Sequence, residues 1–261
     1  MPFADSDGTS VYHERHGSGP VILFVHGSGG HHAAWWQQVA ALRDEFTVVT
    51  VDLRGFGKSD SAMTEFDSRE FPADLVAVLD QEDLTDVMLV GQSIGSVAAL
   101  RAGLLRPARV SGVVLGHSLG GIDHPELREL AAADRAEAVK LPVIDRLLTR
   151  PFQRRRPDLT FLFQQMGTFN AARMQDLRNL DTDGPTLAEI QASGVHVTFL
   201  AGEKDAVLGV KTVTRAHELL PGSRLEIVPD APHSQYWEAP DPYNAAVARL
   251  RRTLDAPKER P

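Results

Sequence analysis

The feature that most constrains the fold of this chain is an alternation between short apolar runs and longer stretches with helical periodicity. The apolar runs are rich in β-branched residues and lie at 21–25, 46–51, 87–90, 110–115, 195–200 and 224–228. Strands that are apolar at nearly every position suit a parallel sheet covered by helices on both faces. Helices are predicted between them at 32–43, 69–83, 94–106, 211–220 and 241–254. The pattern predicts an α/β domain with a doubly wound, mostly parallel sheet and right-handed crossovers.

One segment interrupts this alternation. Residues 122–190 contain no convincing strand but several stretches with helical periodicity, at 125–139, 141–150, 158–167 and 169–180. A helical insertion between two strands predicts a cap over the C-terminal edge of the sheet, where open α/β sheets bind their ligands. We therefore predict a core domain formed by residues 1–121 and 191–256, a helical cap at 122–190 and a disordered tail at 257–261. Residues 1–16 are expected to add a hairpin at one edge of the sheet.

Composition excludes several classes of function. The chain has no cysteine, which rules out disulfides, zinc–thiolate sites and thiol catalysis. Its net charge of −8 argues against nucleic acid or an anionic membrane as a partner, because both bind basic surfaces. The first residues lack the apolar core of a secretory signal, and apolar runs of about five residues are too short to span a membrane. We expect a cytoplasmic protein with a small-molecule substrate; the sequence leaves homo-oligomerisation open.

Two segments match the G-x-S-x-G pattern of a serine nucleophile, GQSIG at 91–95 and GHSLG at 116–120. In this pattern the serine occupies a sharp, strained turn between a strand and a helix. Glycines are required on either side because side chains there would collide with neighbouring backbone. The spelling alone does not choose between Ser93 and Ser118.

The residues that follow each serine favour Ser93. After Ser93 comes IGSVAALRAGLL, a stretch rich in helix formers that Pro107 brings to an end. The positive end of that helix would face the serine, where an anionic intermediate must form. After Ser118 comes LGGIDHP, whose adjacent glycines and Pro125 disfavour a helix. We therefore predict Ser93 as the nucleophile and Ser118 as a pocket-wall or hinge residue at the entrance to the cap.

The order of parts along the chain resembles the α/β-hydrolase superfamily over nearly its whole length. An HGSGG loop at 26–30 and DLRGFGKSD at 52–60 precede the GQSIG segment, and two late loops carry an acid and a histidine. The resemblance implies that His233 in VPDAPHSQYW is the catalytic base and that Asp205 in FLAGEKDAV is its acid. Asp123 is a rival for the acid, since some members carry it after the strand that precedes the cap.

The same resemblance locates the oxyanion hole, which needs two backbone N–H donors. One is the residue after the nucleophile, Ile94. The other is assigned to Ser28, with Gly29 as second choice. His26 is expected to pack beneath the loop, and Asp52 and Arg54 are expected to be scaffold. Residues predicted to line the substrate pocket are Gly27, Gly29, Gln92, Trp35 and Ser118.

The resulting hypothesis is a serine hydrolase that cleaves an ester or lactone through an acyl-enzyme on Ser93. Apolar cap residues such as Phe152, Phe161 and Phe169 suggest a small to medium apolar substrate. No metal or cofactor is expected, because the chain has no H-E-x-x-H, G-x-G-x-x-G or phosphate-loop motif.

Three alternatives stay open. A carbon–carbon bond hydrolase of ring-cleavage products would use the same triad, although HGSGG lacks the proline usual in that loop. A cofactor-independent dioxygenase or lyase would use His233 as base, with Ser93 only orienting the substrate. A non-catalytic small-molecule receptor is the third.

Overall fold

An eight-stranded sheet forms the centre of the molecule. A computed structural model describes residues 2–60 and 66–255, so the predicted disordered tail at 257–261 lies outside the described residues. The strands run in the order β1-β2-β4-β3-β6-β7-β9-β10 across the sheet. Their bounds are β1 Phe3–Ser6, β2 Thr9–His16, β3 Val21–Val25, β4 Thr47–Val51, β6 Val87–Gln92, β7 Val110–Gly116, β9 His196–Gly202 and β10 Arg224–Val228.

The pairing confirms the predicted sheet. β1 and β2 form an antiparallel hairpin at one edge, and the six strands from β4 to β10 pair in parallel. Every residue of β4 and β6 is buried, as expected for strands covered on both faces. All six predicted apolar runs are strands, and their bounds shift by at most two residues.

Helices pack on both faces of the sheet and create two hydrophobic cores. Side chains of α2, α3 and α9 fill one core, and those of α1 and α11 fill the other. The bounds of these helices are α1 Trp36–Leu42, α2 Phe71–Gln81, α3 Ile94–Leu105, α9 Val210–Leu219 and α11 Pro240–Asp255. This two-layer cover confirms the doubly wound α/β class. A short helix that the sequence did not predict, α10 Gln235–Glu238, precedes α11.

The segment between β7 and β9 is largely helical. It contains α4 Pro125–Ala138, α5 Val143–Leu147, α6 Arg150–Arg155, α7 Pro157–Met166 and α8 Leu187–Ser193. The helix predicted at 169–180 is wrong. This stretch contains a 3-10 turn and the two-residue strand β8 Leu177–Arg178, which pairs with β5 Phe66–Asp67. Pairing with a distant strand overrides the local periodicity there.

Among the described residues, each helix is too short or too polar to cross a membrane.

Candidate active site

Ser93 joins β6 to α3 in a backbone conformation that L-residues rarely adopt. Its φ is 53° and its ψ is −116°. Such a conformation costs about 1–3 kcal/mol and persists only where the surroundings fix it. Here the Ser93 N–H donates to the Gly116 carbonyl at 2.8 Å, and the Ser93 carbonyl accepts from the Ser96 N–H at 3.0 Å. The side chain lies half-buried at the N-terminus of α3.

The flanking glycines are there because the backbone passes too close for a side chain. A Cβ on Gly91 would lie 2.4 Å from the Ser96 Cα, and one on Gly95 would lie 2.3 Å from the Val25 carbonyl oxygen. Both separations are far below van der Waals contact. The strand, sharp turn and helix predicted around Ser93 are therefore confirmed.

The second G-x-S-x-G segment has a different conformation. The non-glycine residue with a positive φ is His117, at 55°, not the serine. Ser118 lies in a turn whose Gly120 N–H donates to the Ser118 Oγ at 3.1 Å. The next helix begins seven residues later, at Pro125. As predicted, Ser118 is followed by a loop.

Asp205 and His233 meet at the C-terminal edge of the sheet. The His233 Nδ1–H donates to the Asp205 carboxylate, with distances of 3.0 Å to Oδ2 and 3.1 Å to Oδ1. The His233 side chain is 5% exposed and the Asp205 side chain is 1% exposed. Burial by itself would raise the pKa of the Asp205 carboxyl, but His233 and His117 hold that pKa well below its usual range.

Gln92 connects the Ser93 turn to the His233 loop. Its side-chain Nε2–H donates to the backbone carbonyl of His233 at 2.8 Å. Because Gln92 is the residue before Ser93, this bond holds the two loops side by side. Gln92 was predicted to line the pocket, yet it is 2% exposed and its amide serves this connection.

The sequence analysis missed His117 altogether. Its Nδ1–H donates to the Asp205 Oδ2 at 2.9 Å, and its ring lies 5.5 Å from the His233 ring. The side chain is fully buried. A position directly after β7 was the one signal available, since that strand ends at the same edge as β6 and β9.

The HGSGG loop stands against the Ser93 turn. A Cβ on Gly27 would lie 3.5 Å from the Ser93 Cβ, and the Gly30 N–H donates to the Gly27 carbonyl at 3.0 Å. Ser28 and Gly29 form the middle of this turn. Ile94 is the first residue of α3, where a peptide N–H has no acceptor within the helix.

Asn170 is a second residue that the sequence analysis missed. Its amide nitrogen donates to the Gly30 carbonyl at 3.0 Å, and its amide oxygen accepts from the Gly57 N–H at 3.0 Å. Asn170 follows α7, in the segment between β7 and β9. It therefore joins that segment to both glycine-containing loops beneath it.

His26 and the 52–60 loop have the predicted scaffold roles. The His26 Nδ1–H donates to the Gly27 carbonyl at 2.8 Å, and its Nε2 accepts from the Leu53 N–H at 3.1 Å. Burial lowers the pKa of His26 to about 4, so the ring is neutral at pH 7. Asp52 accepts from His32 and Lys58.

Trp35 is a core residue, which corrects the predicted place in the pocket. It is fully buried, and its ring lies 4.8 Å from Phe24 and 4.7 Å from Tyr236. Trp36, its neighbour, is 47% exposed. The turn that begins the helix directs the first tryptophan inward, and adjacent helical residues face different directions.

Asp123, the rival acid, has a partner other than His233. Its carboxylate is partly exposed and pairs with Arg128. The phenylalanines of the segment between β7 and β9 also divide differently from expectation. Phe152 is buried in the core that α1 and α11 fill, whereas Phe161 and Phe169 are 64% and 72% exposed. These three phenylalanines therefore give no support for an apolar substrate.

Among residues 2–60 and 66–255, two sets of side chains bring possible metal ligands within 4.8 Å of one another: His31, His32 and Asp52, and His117, Asp205 and His233. In both sets an imidazole N–H already donates to the carboxylate. Hydrogen bonding accounts for their proximity, and we assign no metal to either.

Comparisons with known proteins agree with this architecture. A family model described as alpha/beta hydrolase fold matches residues 20–240. A 3-oxoadipate enol-lactonase of Acinetobacter baylyi is 22% identical over 241 residues, which cover 90% of each chain.

Two solved structures have the same fold. An esterase from Thermogutta terrifontis is 23% identical with a TM-score of 0.79, covering 97% of both chains. A meta-cleavage product hydrolase from Pseudomonas fluorescens is 18% identical with a TM-score of 0.75, covering 97% of this chain and 98% of the other. Since the family model spans most of the sequence and the eight-stranded sheet agrees with it, the chain belongs to the α/β hydrolase fold family.

Proposed function

We propose that this protein is a serine hydrolase that cleaves a carboxylic ester or lactone through an acyl-enzyme on Ser93. The observation that carries the proposal is the strained Ser93 turn, tied through Gln92 to a buried His233–Asp205 pair. Backbone strain at a strand–helix junction presents a serine hydroxyl for attack. A buried histidine and carboxylate supply the base that a hydroxyl needs.

The proposed reaction has two balanced steps. His233 Nε2 takes the Ser93 hydroxyl proton while Ser93 Oγ bonds to the substrate carbonyl carbon, and the N–H groups of Ser28 and Ile94 stabilise the oxyanion. The intermediate collapses to an acyl-enzyme, and the proton passes from His233 to the leaving alkoxide. Water then attacks the acyl carbon, with His233 again accepting and returning a proton. Asp205 keeps the imidazole in the tautomer whose Nε2 is free to accept.

The substrate class is drawn from the relatives. An esterase and an enol-lactonase are both among them, and both break a bond between an acyl carbon and an oxygen. The similar meta-cleavage product hydrolase keeps carbon–carbon hydrolysis as the alternative. The small to medium apolar substrate expected from the sequence stays a prediction, which the chain-length series below tests.

A labelling experiment tests the nucleophile. We expect a fluorophosphonate to modify the wild-type protein once, at Ser93, as located by mass spectrometry of the peptides. Ser93→Ala should stay unlabelled, and Ser118→Ala should label like the wild type. An adduct on Ser118, or no adduct at all, would contradict the proposal.

A substrate panel tests the bond that is cleaved. It should include p-nitrophenyl esters of increasing chain length, simple lactones and a ring-cleavage product with a vinylogous diketone. We expect turnover of esters or lactones that Ser93→Ala abolishes. Turnover that survives in Ser93→Ala would favour a reaction driven by His233 alone, as in a cofactor-independent dioxygenase or lyase.

A further inference from the structure

The Asp205 carboxylate accepts hydrogen bonds from two histidines instead of one. His117 donates to Oδ2 at 2.9 Å, while His233 lies 3.0 Å from Oδ2 and 3.1 Å from Oδ1. The N–H groups of Val207 and Leu208 donate to Oδ1 at 2.7 and 3.1 Å. Both oxygens are therefore engaged, and the donors on Oδ2 are imidazoles from two different loops.

The backbone at His117 is strained in a way that serves this contact. His117 has a φ of 55°, and its N–H donates to the Leu200 carbonyl of β9 at 2.8 Å. That bond continues the pairing of β7 with β9 by one residue beyond Gly116. Because Asp205 follows β9, this turn brings the imidazole of His117 to the carboxylate.

We propose that His117 is a positioning residue, which holds the Asp205 carboxylate in the orientation that receives the Nδ1–H of His233. The inference rests on the proposed function, in which His233 is the base. Bonds to Val207 and Leu208 fix Oδ1, but they leave the carboxylate free to tilt about that oxygen. A second donor on Oδ2 removes this freedom, so His233 meets a carboxylate that is already oriented.

Behind His117, its Nε2 lies 3.3 Å from the Oε1 of Gln235, which is fully buried on α10. Gln235 follows His233 by two residues, so the imidazole of His117 lies between the acid loop and the base loop while its N–H donates to Asp205. The second G-x-S-x-G segment then serves the site through its histidine, not its serine.

Two substitutions test the role. His117→Leu removes the donor, whereas His117→Asn returns an N–H at about the position of Nδ1, because both nitrogens are bonded to Cγ. We expect His117→Leu to lower kcat roughly ten- to hundredfold with KM nearly unchanged, the effect of losing a hydrogen bond to a charged group. His117→Asn should restore most of that loss. The matched control is His217→Leu, which removes an α9 imidazole that is hydrogen-bonded to Ser223 and should leave kcat unchanged.

A second readout does not depend on catalysis. In the wild type, the Nδ1–H protons of His117 and His233 should give two downfield proton NMR signals. His117→Leu should lose one signal and shift the other, because the carboxylate that receives His233 is no longer fixed. His117→Asn should leave the His233 signal close to its wild-type position.

The outcomes separate this inference from the proposed function. Full hydrolysis by Ser93→Ala would overturn the proposed function, and the NMR signals would then still decide whether His117 orients Asp205. Suppose instead that Ser93→Ala is inactive, and that His117→Leu folds with a wild-type kcat and an unshifted His233 signal. That result would overturn the positioning role alone. Should His117→Leu fail to fold, His117→Gln replaces it, since its N–H lies one bond further out. Equal kcat in the Asn and Gln variants would then overturn the inference.

Discussion

The two G-x-S-x-G segments share a spelling and lie side by side, yet they fold differently. Gln92 pairs with Gly116 across β6 and β7, and the Ser93 N–H donates to the Gly116 carbonyl. In the first segment the serine takes the positive φ and a helix follows at once. In the second segment the histidine, not the serine, has a positive φ, and a loop follows. The pattern identifies a sharp turn after a strand, and the residues beyond it decide which side chain the turn presents.

The largest expected effect concerns the two serines. Ser93→Ala should lower kcat by roughly 10⁴- to 10⁶-fold if Ser93 is the nucleophile, with the fold unchanged. The measurement is hydrolysis of a p-nitrophenyl ester, with circular dichroism as the control for folding. A Ser118→Ala variant that loses as much activity would reverse the assignment of the two turns.

The glycines of the two segments should differ in what they tolerate. Gly95→Ala places a Cβ 2.3 Å from a backbone oxygen that cannot move away, so we expect a loss of unfolding free energy of about 3 kcal/mol or more. Gly120→Ala meets the Leu100 Cδ2 at 2.9 Å, which can shift, and forces alanine to a φ of 65°. We expect a loss of about 1–2 kcal/mol there. Urea denaturation measures both; equal losses would mean that the two turns are equally crowded.

His26, which packs against the first segment, should make the free energy of unfolding depend on pH. Gly95 packs on the backbone carbonyl of His26. Burial lowers the pKa of the His26 imidazole from 6.5 to about 4. The folded state therefore binds fewer protons than the unfolded state in this window. The contribution of His26 to the free energy of unfolding is fully present above about pH 6.5. It falls by up to roughly 3 kcal/mol as the pH drops towards 4.

His26→Gln isolates this contribution. The variant should be less stable than the wild type at pH 8, but its unfolding free energy should fall less steeply between pH 6.5 and 4. The measurement is urea denaturation at several pH values, with His217→Gln as the control. Identical slopes for wild type and His26→Gln would place the acid sensitivity elsewhere.

The smallest expected effect is that of Ser118→Ala. The hydroxyl accepts one hydrogen bond, from the Gly120 N–H, so its removal should cost under about 1 kcal/mol of unfolding free energy. We expect an unchanged kcat. The KM values across an ester series sharpen the comparison, because a KM raised for the longer esters would give Ser118 a place in the substrate pocket.

Much of the fold could be predicted from sequence because its signals are local. The apolar runs of β3 and β10 have the predicted bounds, and the stretch after Ser93 is rich in residues that favour a helix. The same signals failed at 169–180, where helical periodicity gave way to the pairing of β8 with β5. Trp35 and Trp36 show a second limit, since periodicity does not say which of two adjacent aromatic residues faces the core.

Side-chain contacts between distant loops were beyond sequence reasoning. His117 and Asp205 are 88 residues apart, and Asn170 is 140 residues from Gly30. Neither contact leaves a periodic trace in the chain. Each depends on where a strand end or a loop of the inserted segment lies in the finished packing.

The sequence by itself determined the strands, the helices that cover them and the serine that a helix follows, because backbone propensity and apolar periodicity act over a few neighbouring residues. Only the tertiary structure decided that one buried carboxylate serves two imidazoles, and that Gln92 ties the serine turn to the base loop. Such contacts form where separate strands end at a common edge, and their geometry is fixed by the packing of the whole sheet.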